Sequence, residues 1–254
     1  DPATIKKVQD LMDSKTTIIC DGHHRYETAL NYRNEMREKN PGFTGKEGWN
    51  YRMIAYVNMA DPNLYVFPTH RLVRDVPNFD GAKLLEQLKG SFDVTEVEIS
   101  GPAVDAARKL VEMMGKNVDK HAFGYFPKGS KKMYMLTLKN LSIADSIPVE
   151  KSNDWKRLDV TILHKLILEK QLGIDDAKLA AQTNVDYERY VPEAVEPVAK
   201  GTHQCVFLMN PTLTTQVEDV TKHFETMPQK STDYFPKVQS GLVIQYFPDK
   251  ETVK

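Results

Sequence analysis

The sequence predicts a mixed α+β fold. Short runs of β-branched and aromatic residues alternate with amphipathic segments along the chain. Clusters of turn-forming residues, such as Asn40-Pro41-Gly42, separate these segments. The 254 residues are 41% hydrophobic and 27% charged. A chain of this size and composition can bury a substantial core, in one large or two small domains.

The first quarter of the chain is predicted to hold two helices and three strands. Apolar residues recur at helical spacing after Pro2, and a β-branched run follows them before Cys20. The predicted helices cover residues 3–12 and 24–38, and the predicted strands cover residues 16–20, 51–58 and 64–68. Asp61-Pro62-Asn63 predicts a hairpin turn between the last two strands.

The remaining elements are predicted by the same two periodicities. Predicted helices cover residues 81–89, 102–114, 158–171, 195–200 and 215–225. Predicted strands cover residues 92–99, 121–127, 133–138, 205–209 and 241–247. The strands around Lys128-Gly129-Ser130 predict a hairpin, and Gly173 is placed to cap the helix over residues 158–171. Residues 140–154 and 184–191 are the candidate linkers.

Charge and cysteine content exclude several classes of protein. Lysine and arginine total 34 against 35 acidic residues, so the net charge favours neither a nucleic-acid surface nor an anionic membrane. Cys20 and Cys205 are too few and too isolated for a disulfide framework or a four-ligand zinc site. No apolar stretch approaches the roughly 20 residues of a membrane-spanning helix. These features predict a cytoplasmic protein. The chain begins with Asp1 rather than Met, which is compatible with a truncated chain or with a processed N-terminus.

The segment "CDGHHRYE" is the strongest candidate for a ligand site. Gly22 allows a tight turn after the predicted strand, and His23, His24 and Arg25 follow where a helix begins. Backbone amides and cationic side chains at a helix start are suited to phosphate. Arg25 can hold a phosphate with two hydrogen bonds, and Asp21 can bind Mg²⁺ or orient a histidine. The alternative is a solvated turn in which Asp21 caps the helix.

Two further clusters carry similar chemistry. His70 and Arg71 follow the predicted strand over residues 64–68, and the two strand ends would face one ligand if both strands lie in one sheet. The alternative is a buried structural histidine beside a surface arginine. A third set of polar residues, held between Pro228 and Pro236, predicts a fixed platform that could bind anions. Its members are Lys230, Ser231, Thr232 and, just beyond the second proline, Lys237.

Several familiar motifs are missing from the sequence. Lys-Ser-Thr in the third cluster lacks the glycines of a Walker A loop. The chain also has no Gly-x-Gly-x-x-Gly, His-Glu-x-x-His, Gly-x-Ser-x-Gly or Cys-x-x-Cys motif. The signatures of dinucleotide-binding, zincin, α/β-hydrolase and thioredoxin-like proteins are therefore absent.

The segment "CDGHHRYETA" resembles the phosphate-binding box of the ParB/sulfiredoxin superfamily. Gly22, His24, Arg25 and Tyr26 match the Gly-x-His-Arg-Tyr pattern of sulfiredoxins. His23 stands where that pattern has its reactive cysteine, so the resemblance does not carry sulfiredoxin chemistry. It implies a partial ParB/sulfiredoxin-like unit over residues 1–75 and a family-specific α+β region over residues 76–254.

A broader resemblance covers most of the chain. The motifs "DGHHRYETALNYR", "PTHRLV", "LDVTILHKLILEKQLGI" and "MPQKSTDYFPKVQSGLVI" occur in the order found in the family named domain of unknown function 1015. This family includes kinases of free serine. The resemblance implies a phosphotransferase that uses ADP or ATP with Mg²⁺ and acts on a small molecule such as L-serine. Nucleic acid is not expected as a partner.

The resemblance also implies roles for individual residues. Asp21, Gly22, His23, His24 and Arg25 would bind or activate the transferring phosphate, with Asp21 near Mg²⁺ and Asp21 and His23 as the catalytic candidates. His70 and Arg71 would complete the pocket. Family members carry an additional N-terminal portion that supplies a catalytic carboxylate, and we expect this chain to begin after it. The alternatives are a regulatory module that binds nucleotide without catalysis and a phosphatase.

Overall fold

The structure is a computed structural model that describes residues 1–239 and 241–245. The chain divides into two compact units. The smaller unit consists of Asp1–Asn63 and the segment that begins at Pro236, and the larger unit is Leu64–Phe235. This division into compact units does not identify either of them as a ParB/sulfiredoxin-like domain. The predicted division into a ParB/sulfiredoxin-like unit over residues 1–75 and a family-specific region over residues 76–254 therefore stays a prediction.

The smaller unit is built around two helices. Helix α1 spans Pro2–Met12 and helix α2 spans His23–Lys39, and a short 3-10 helix spans Gly48–Asn50. A carboxylate oxygen of Asp1 accepts a hydrogen bond from the backbone N–H of Ala3 at 3.1 Å and so caps α1. Both predicted helices of this region are confirmed.

Two predicted strands of the smaller unit are wrong. Residues 16–20 and 51–58 form no strand, and no described segment pairs with either of them. Residues rich in β-branched and aromatic side chains become a strand only where a neighbouring segment completes their backbone hydrogen bonds. Residues 241–245 also form no strand. The last two residues of the predicted strand over 241–247 lie outside the described residues.

The larger unit contains a six-stranded antiparallel sheet. Its strands are β2 (His70–Val73), β3 (Phe92–Glu98), β4 (Ala122–Pro127), β5 (Lys132–Leu138), β6 (Val185–Glu188) and β7 (Cys205–Leu208). They lie in the order β3-β5-β4-β7-β2-β6. The predicted hairpin is confirmed as β4 and β5. Strand β6 lies within the candidate linker 184–191, where the sequence predicts no strand.

A two-stranded ribbon lies apart from the sheet. Strand β1 (Tyr65–Val66) pairs with β8 (Tyr234–Phe235), so the strand predicted over residues 64–68 is confirmed only in its centre. His70 is the first residue of β2. His70 and Arg71 follow β1, as predicted, but they lie within the next strand.

Helices cover both faces of the sheet. Those on one face are α3 (Gly81–Leu88), α5 (Leu141–Asp145), α7 (Asp159–Ile162) and α9 (Asp176–Ala181), and those on the other are α4 (Ala103–Gly115) and α10 (Val191–Ala199). The larger unit also contains a 3-10 helix at Val118–Lys120 and three further α-helices: α6 (Asn153–Lys156), α8 (Lys170–Leu172) and α11 (Thr214–Lys222). Consecutive residues of β2 enter different cores, with Leu72 on the α4 side and Val73 on the α3 side. This alternation is expected of a strand covered on both faces.

The predicted core helix over residues 158–171 is confirmed with one difference. It consists of α7, a π-helical segment at Leu163–Glu169 and α8. Gly173 follows in the left-handed conformation, with φ 65°, and ends the helix as predicted. The π-helical segment, which the sequence did not predict, contains His164 and Lys165.

Candidate functional site

Gly22 shapes the turn that opens α2. Its φ of 82° lies in the left-handed region, which favours glycine over residues with a Cβ atom. A Cβ atom at this position would lie 2.9 Å from Nε of Arg25. The first backbone N–H groups of α2 have no partner within the helix and carry its partial positive charge. The backbone conformation therefore favours glycine here, and the absence of a Cβ atom leaves room for the guanidinium of Arg25.

Two cations flank one carboxylate at this turn. Nη2 of Arg25 lies 3.2 Å from one carboxylate oxygen of Asp21, and Nζ of Lys237 lies 3.4 Å from the other. The side chains of Asp21, Arg25 and Lys237 are 49%, 58% and 43% exposed. Asp21, Gly22, Arg25 and Lys237, which were predicted from two distant motifs, are thus neighbours in the smaller unit. Their open position leaves the cations accessible to an anion.

The two histidines of the turn are exposed. Nδ1 of His24 lies 3.4 Å from a carboxylate oxygen of Glu27, and the imidazole of His24 is fully open to solvent. His23 is the first residue of α2 and is also exposed. Both imidazoles are therefore accessible to a ligand at the start of the helix.

A cavity of about 390 Å³ lies along the face of α2 that follows this turn. Its walls combine aromatic and cationic side chains, and its volume falls within the usual range of small-molecule sites. The lining residues are His24, Arg25, Thr28, Ala29, Tyr32, Trp49, Tyr51 and Arg52. All of them belong to the smaller unit. His24 and Arg25 therefore join the predicted phosphate turn to a pocket of suitable size for a small organic molecule.

Polar contacts fix the wall opposite α2. The guanidinium of Arg37 donates two hydrogen bonds to the side-chain oxygen of Asn50, at 3.0 and 2.8 Å. The side-chain amide of Asn50 in turn donates to Glu47 at 2.8 Å. Trp49 packs edge-on against Phe43, with 6.0 Å between the ring centroids. These contacts hold Trp49 at the cavity in a defined position.

Sequence reasoning missed several of the residues that line the cavity. Thr28 and Tyr32 follow Arg25 at spacings of three and seven residues, which places them on one face of a helix. That spacing was the available signal within α2. No comparable pattern in the sequence marks Trp49, Tyr51 and Arg52 as residues of a cavity. The last two fall in the strand that the sequence predicts over residues 51–58.

His70 and Arg71 are buried in the larger unit, where each is 1% exposed. Nδ1 of His70 accepts a hydrogen bond from the backbone N–H of Met209 at 3.1 Å. Burial, followed by the charge of Arg71, lowers the pKa of His70 to about 4. His70 is therefore neutral near pH 7. Its predicted contact with phosphate stays a prediction, and in this conformation its side chain does not reach solvent.

Arg71 binds the backbone rather than a carboxylate. Its guanidinium donates hydrogen bonds to the carbonyl oxygens of Thr69 and Lys230, the second at 2.9 Å, and lies 5.6 Å from the centre of the Tyr187 ring. No acidic side chain among residues 1–239 and 241–245 forms an ion pair with it. Burial lowers the pKa of Arg71 to about 10.

The predicted platform between the two prolines is held by hydrogen bonds. The buried Ser231 hydroxyl donates to the carbonyl of Pro228 at 2.6 Å, and the Ser231 carbonyl accepts from the Thr212 hydroxyl at 2.7 Å. Lys230 has a φ of 55°, and its Nζ lies 5.4 Å from the centre of the Tyr187 ring. Thr232 is half-buried. Anion binding by Lys230, Ser231 and Thr232 stays a prediction.

Neither a metal cluster nor a membrane span is found in the part of the chain that the structure describes. No group of three or more histidine, cysteine, aspartate or glutamate side chains there is arranged to hold a metal ion. None of the described helices is both long enough and apolar enough to cross a membrane. The prediction that Asp21 binds Mg²⁺ therefore rests on the sequence motif and on the resemblance.

Comparison with solved structures finds weak likenesses. A free serine kinase in complex with AMP is 18% identical, with a TM-score of 0.37 over 78% of this chain and 61% of that chain. A mutant free serine kinase in complex with ADP is 16% identical, with a TM-score of 0.37 over 78% of this chain and 62% of that chain. A conserved hypothetical protein from Pyrococcus furiosus is 18% identical, with a TM-score of 0.40 over 93% and 74%.

The chain spans about 61% of the length of the serine kinase structures that it matches. No curated protein matches it. The model of one protein family, described as a protein of unknown function (DUF1015), matches residues 1–161. This match covers more than half of the 254 residues and includes the turn at Gly22. The chain belongs to the DUF1015 family.

Proposed function

We propose that this chain binds a nucleotide in the smaller unit and takes part in transfer of its terminal phosphoryl group to a small molecule such as free L-serine. The observation that carries the proposal is the left-handed Gly22 turn. It brings Arg25 and Lys237 to the start of α2, beside a cavity of about 390 Å³. The acceptor class comes from the resemblance of four sequence motifs to the serine kinases of the family.

The phosphates of the nucleotide are assigned to the start of α2. The guanidinium of Arg25 can donate two parallel hydrogen bonds to phosphate oxygens, and the free backbone N–H groups of the first turn point at the same place. Lys237 adds a second positive charge. Asp21 contacts both cations, so its proposed role is to hold them in position.

The nucleoside is assigned to the cavity along α2. Tyr32, Trp49 and Tyr51 offer aromatic rings on which a base can stack, and Arg52 adds a cation. The cavity is lined by both the phosphate-binding residues and these rings. One nucleotide can therefore occupy the turn and the cavity together.

Phosphoryl transfer requires mainly position and positive charge. The acceptor hydroxyl oxygen forms a bond to the terminal phosphorus while the bond to the bridging oxygen breaks. The hydroxyl proton passes to a base or to water, and the nucleotide leaves with one phosphate fewer. Arg25 and Lys237 would stabilise the charge on the transferring group. His23 is accessible at the helix start and is proposed to contact the same group.

The donor set of the turn fits an anion better than a divalent cation. Both carboxylate oxygens of Asp21 face cations, whereas protein-bound Mg²⁺ is held by carboxylates together with phosphate oxygens and water. Binding of Mg²⁺ by Asp21 stays a prediction. We expect Mg²⁺ to arrive with the nucleotide phosphates, where it neutralises their charge.

Calorimetric titration with ADP and with ATP, each with Mg²⁺, tests binding. Substitution Arg25→Ala should weaken binding by about 1.5–3 kcal/mol, the scale of a hydrogen bond to a charged group. Arg33→Ala is the matched control, because Arg33 lies on the same helix but does not line the cavity. Equal affinity of the two variants would remove Arg25 from the site.

Transfer is tested separately by ³¹P NMR. The nucleotide is incubated with L-serine and with pools of other amino acids, and a new phosphomonoester signal that needs both partners supports a kinase. Binding without such a signal would favour a regulatory module. Hydrolysis of phosphomonoesters without nucleotide would favour a phosphatase.

A further inference from the structure

The wall of the cavity along α2 changes character after Asn50. Up to Asn50 the wall is held by the hydrogen bonds of Arg37, and Tyr51 and Arg52 continue the lining beyond that point. Residues 51–58 form neither a helix nor a strand. Tyr51 nevertheless has the extended backbone of a strand, with φ −117° and ψ 152°. Tyr51 and Arg52 are therefore held by something other than regular secondary structure.

Gln245 supplies a contact that holds them. Its side-chain oxygen accepts a hydrogen bond from the backbone N–H of Met53 at 2.7 Å, and its side-chain N–H donates to the carbonyl oxygen of Tyr51 at 3.3 Å. All three residues belong to the smaller unit. Since a backbone N–H only donates and a carbonyl oxygen only accepts, one orientation of the amide satisfies both bonds. The two bonds fix the backbone on either side of Arg52.

The pattern of these bonds is that of a strand pair. A residue in a sheet accepts one backbone hydrogen bond from a neighbouring strand and donates another, and Gln245 does the same with its side chain. Gln245 and its partners lie in two segments whose sequences predict strands, residues 241–247 and 51–58. Within residues 52–57, Met53 is the one whose backbone N–H has a hydrogen-bond partner in the described part of the chain. Gln245 is thus the anchor of this part of the wall.

The exposure of the stretch around Gln245 agrees with this role. Leu242, Val243 and Ile244 are 77%, 67% and 78% exposed. Gln245, which follows them, is half-buried. The stretch is therefore anchored through the amide of Gln245 rather than through its apolar side chains.

We propose that Gln245 is a positioning residue for the nucleoside part of the proposed site, an inference that rests on the proposed function. By fixing the backbone from Tyr51 to Met53, it presents the Tyr51 ring and the Arg52 guanidinium to the nucleoside. Ordering a loose stretch during binding costs affinity, so a wall that is already ordered favours binding. The hydrogen bonds of Gln245 go to Tyr51 and Met53 and not to the residues assigned to the phosphates. Its contribution is therefore confined to the nucleoside.

Calorimetric titration of the full chain with ADP and with pyrophosphate, each with Mg²⁺, tests the proposal. Pyrophosphate lacks the nucleoside, so it reports on the start of α2 alone. Gln245→Met keeps the length of the side chain and removes both hydrogen bonds. We expect this variant to bind ADP about five- to tenfold more weakly, the scale of ordering a few side chains, and to change the affinity for pyrophosphate by less than about twofold.

Two further variants complete the design. Val243→Ala is the matched control, because Val243 lies on the same stretch with an exposed side chain, and it should leave both affinities unchanged. Arg25→Ala should weaken the binding of both ligands, because Arg25 is assigned to the phosphates. A loss confined to ADP in Gln245→Met, beside a joint loss in Arg25→Ala, separates positioning of the wall from binding of the phosphates.

Hydrogen exchange measured by NMR checks the structural step without any ligand. The backbone amide of Met53 should exchange faster in Gln245→Met than in the unmodified chain, because its acceptor is gone. The amide of Asn50, which donates to the carbonyl of Glu47 at 2.9 Å, should keep its rate. A change at Met53 alone would support Gln245 as the anchor of this part of the wall.

Four results would overturn the proposal. Unchanged exchange of the Met53 amide would show that Gln245 does not hold the wall. Unchanged affinity for ADP in Gln245→Met would show that binding does not need this contact, and it would leave the proposed function intact. Equal losses for ADP and pyrophosphate would show that Gln245 supports the whole unit rather than the nucleoside pocket. Absence of ADP binding to the unmodified chain would overturn the proposed function and this inference together.

Discussion

The chain contains two His-Arg pairs whose surroundings are opposite. His24 and Arg25 lie at the start of a helix, where the imidazole is fully exposed and the guanidinium is 58% exposed. His70 and Arg71 lie in a strand, where each is 1% exposed. The exposed pair is available to a ligand, and the buried pair contacts backbone groups of the larger unit. The same residue types therefore support different roles, which the local backbone decides.

The position of each pair in its element explains this difference. Strand β2 has a neighbour on both sides and helices over both faces, so all four of its side chains are buried. Gly22 instead turns the chain into α2, a helix with no buried residue. To contact phosphate, the side chains of His70 and Arg71 would have to give up hydrogen bonds that they already make to backbone groups of the larger unit.

The largest expected effect is on Arg71. Arg71→Ala removes a buried side chain and two hydrogen bonds to carbonyl oxygens, so the free energy of unfolding should fall by about 3–5 kcal/mol. Arg71→Met should cost less, because it fills the volume and removes a buried charge. Urea unfolding measures both variants. The exposed counterpart Arg25→Ala should change the free energy of unfolding by no more than about 0.5 kcal/mol. Similar losses of stability in Arg25→Ala and Arg71→Ala would contradict the different roles assigned to the two arginines.

The second prediction concerns acid stability. His70 has a pKa of about 4 in the folded chain against an ordinary value of 6.5, so the unfolded chain takes up its proton first as the pH falls. Stability is therefore lost between about pH 6.5 and 4, by up to about 3 kcal/mol. His70→Asn keeps an acceptor for Met209 and removes this titration.

Unfolding measured at pH 7 and at pH 4.5 checks this prediction. The stability of His70→Asn should depend less on pH over this interval than that of the unmodified chain. His24→Asn, the exposed counterpart, should leave the pH dependence unchanged. An equal pH dependence in His70→Asn and in the unmodified chain would contradict the buried, neutral state of His70.

The third prediction concerns the turn itself. Gly22→Ala should destabilise the smaller unit by about 1–2 kcal/mol, because a Cβ atom is disfavoured in the left-handed region and would press on Arg25. Nucleotide affinity should fall with it, since the strained turn shifts the start of α2 and with it Arg25. Gly42→Ala is the control, because Gly42 has open space around its Cα. Thermal unfolding and calorimetry on both variants provide the measurements.

The sequence predicted the elements whose signals are local. Helices α1, α3 and α4 follow from apolar periodicity, helix α2 from its helix-forming residues and the Asn40-Pro41-Gly42 breaker, and the β4–β5 hairpin from its turn residues. The wrong strands over residues 16–20 and 51–58 show the limit of this reasoning, because a strand depends on a partner that is often distant in sequence. Strand β2 was missed for the same reason, since its neighbours β6 and β7 lie more than a hundred residues away.

The candidate site shows the same division. Gly22 and Arg25 were predicted from one short motif, and the need for glycine follows from the turn. The proximity of Lys237 to Asp21, across more than two hundred residues, depends on tertiary structure that no local pattern contains. The burial of His70 could not be read from its neighbours either, because burial depends on helices that cover the sheet from elsewhere in the chain.

The smallest expected effect separates two roles of Asp21. Its ion pairs are about half exposed, so Asp21→Asn should change stability by no more than about 0.5 kcal/mol. If Asp21 only positions Arg25 and Lys237, the variant should bind ADP with a modest loss that is the same with and without Mg²⁺. If Asp21 holds Mg²⁺, the variant should lose the part of the affinity that depends on Mg²⁺. Calorimetric titration in Mg²⁺ and in EDTA decides between them, and because the donor set of the turn fits an anion, we expect the first result.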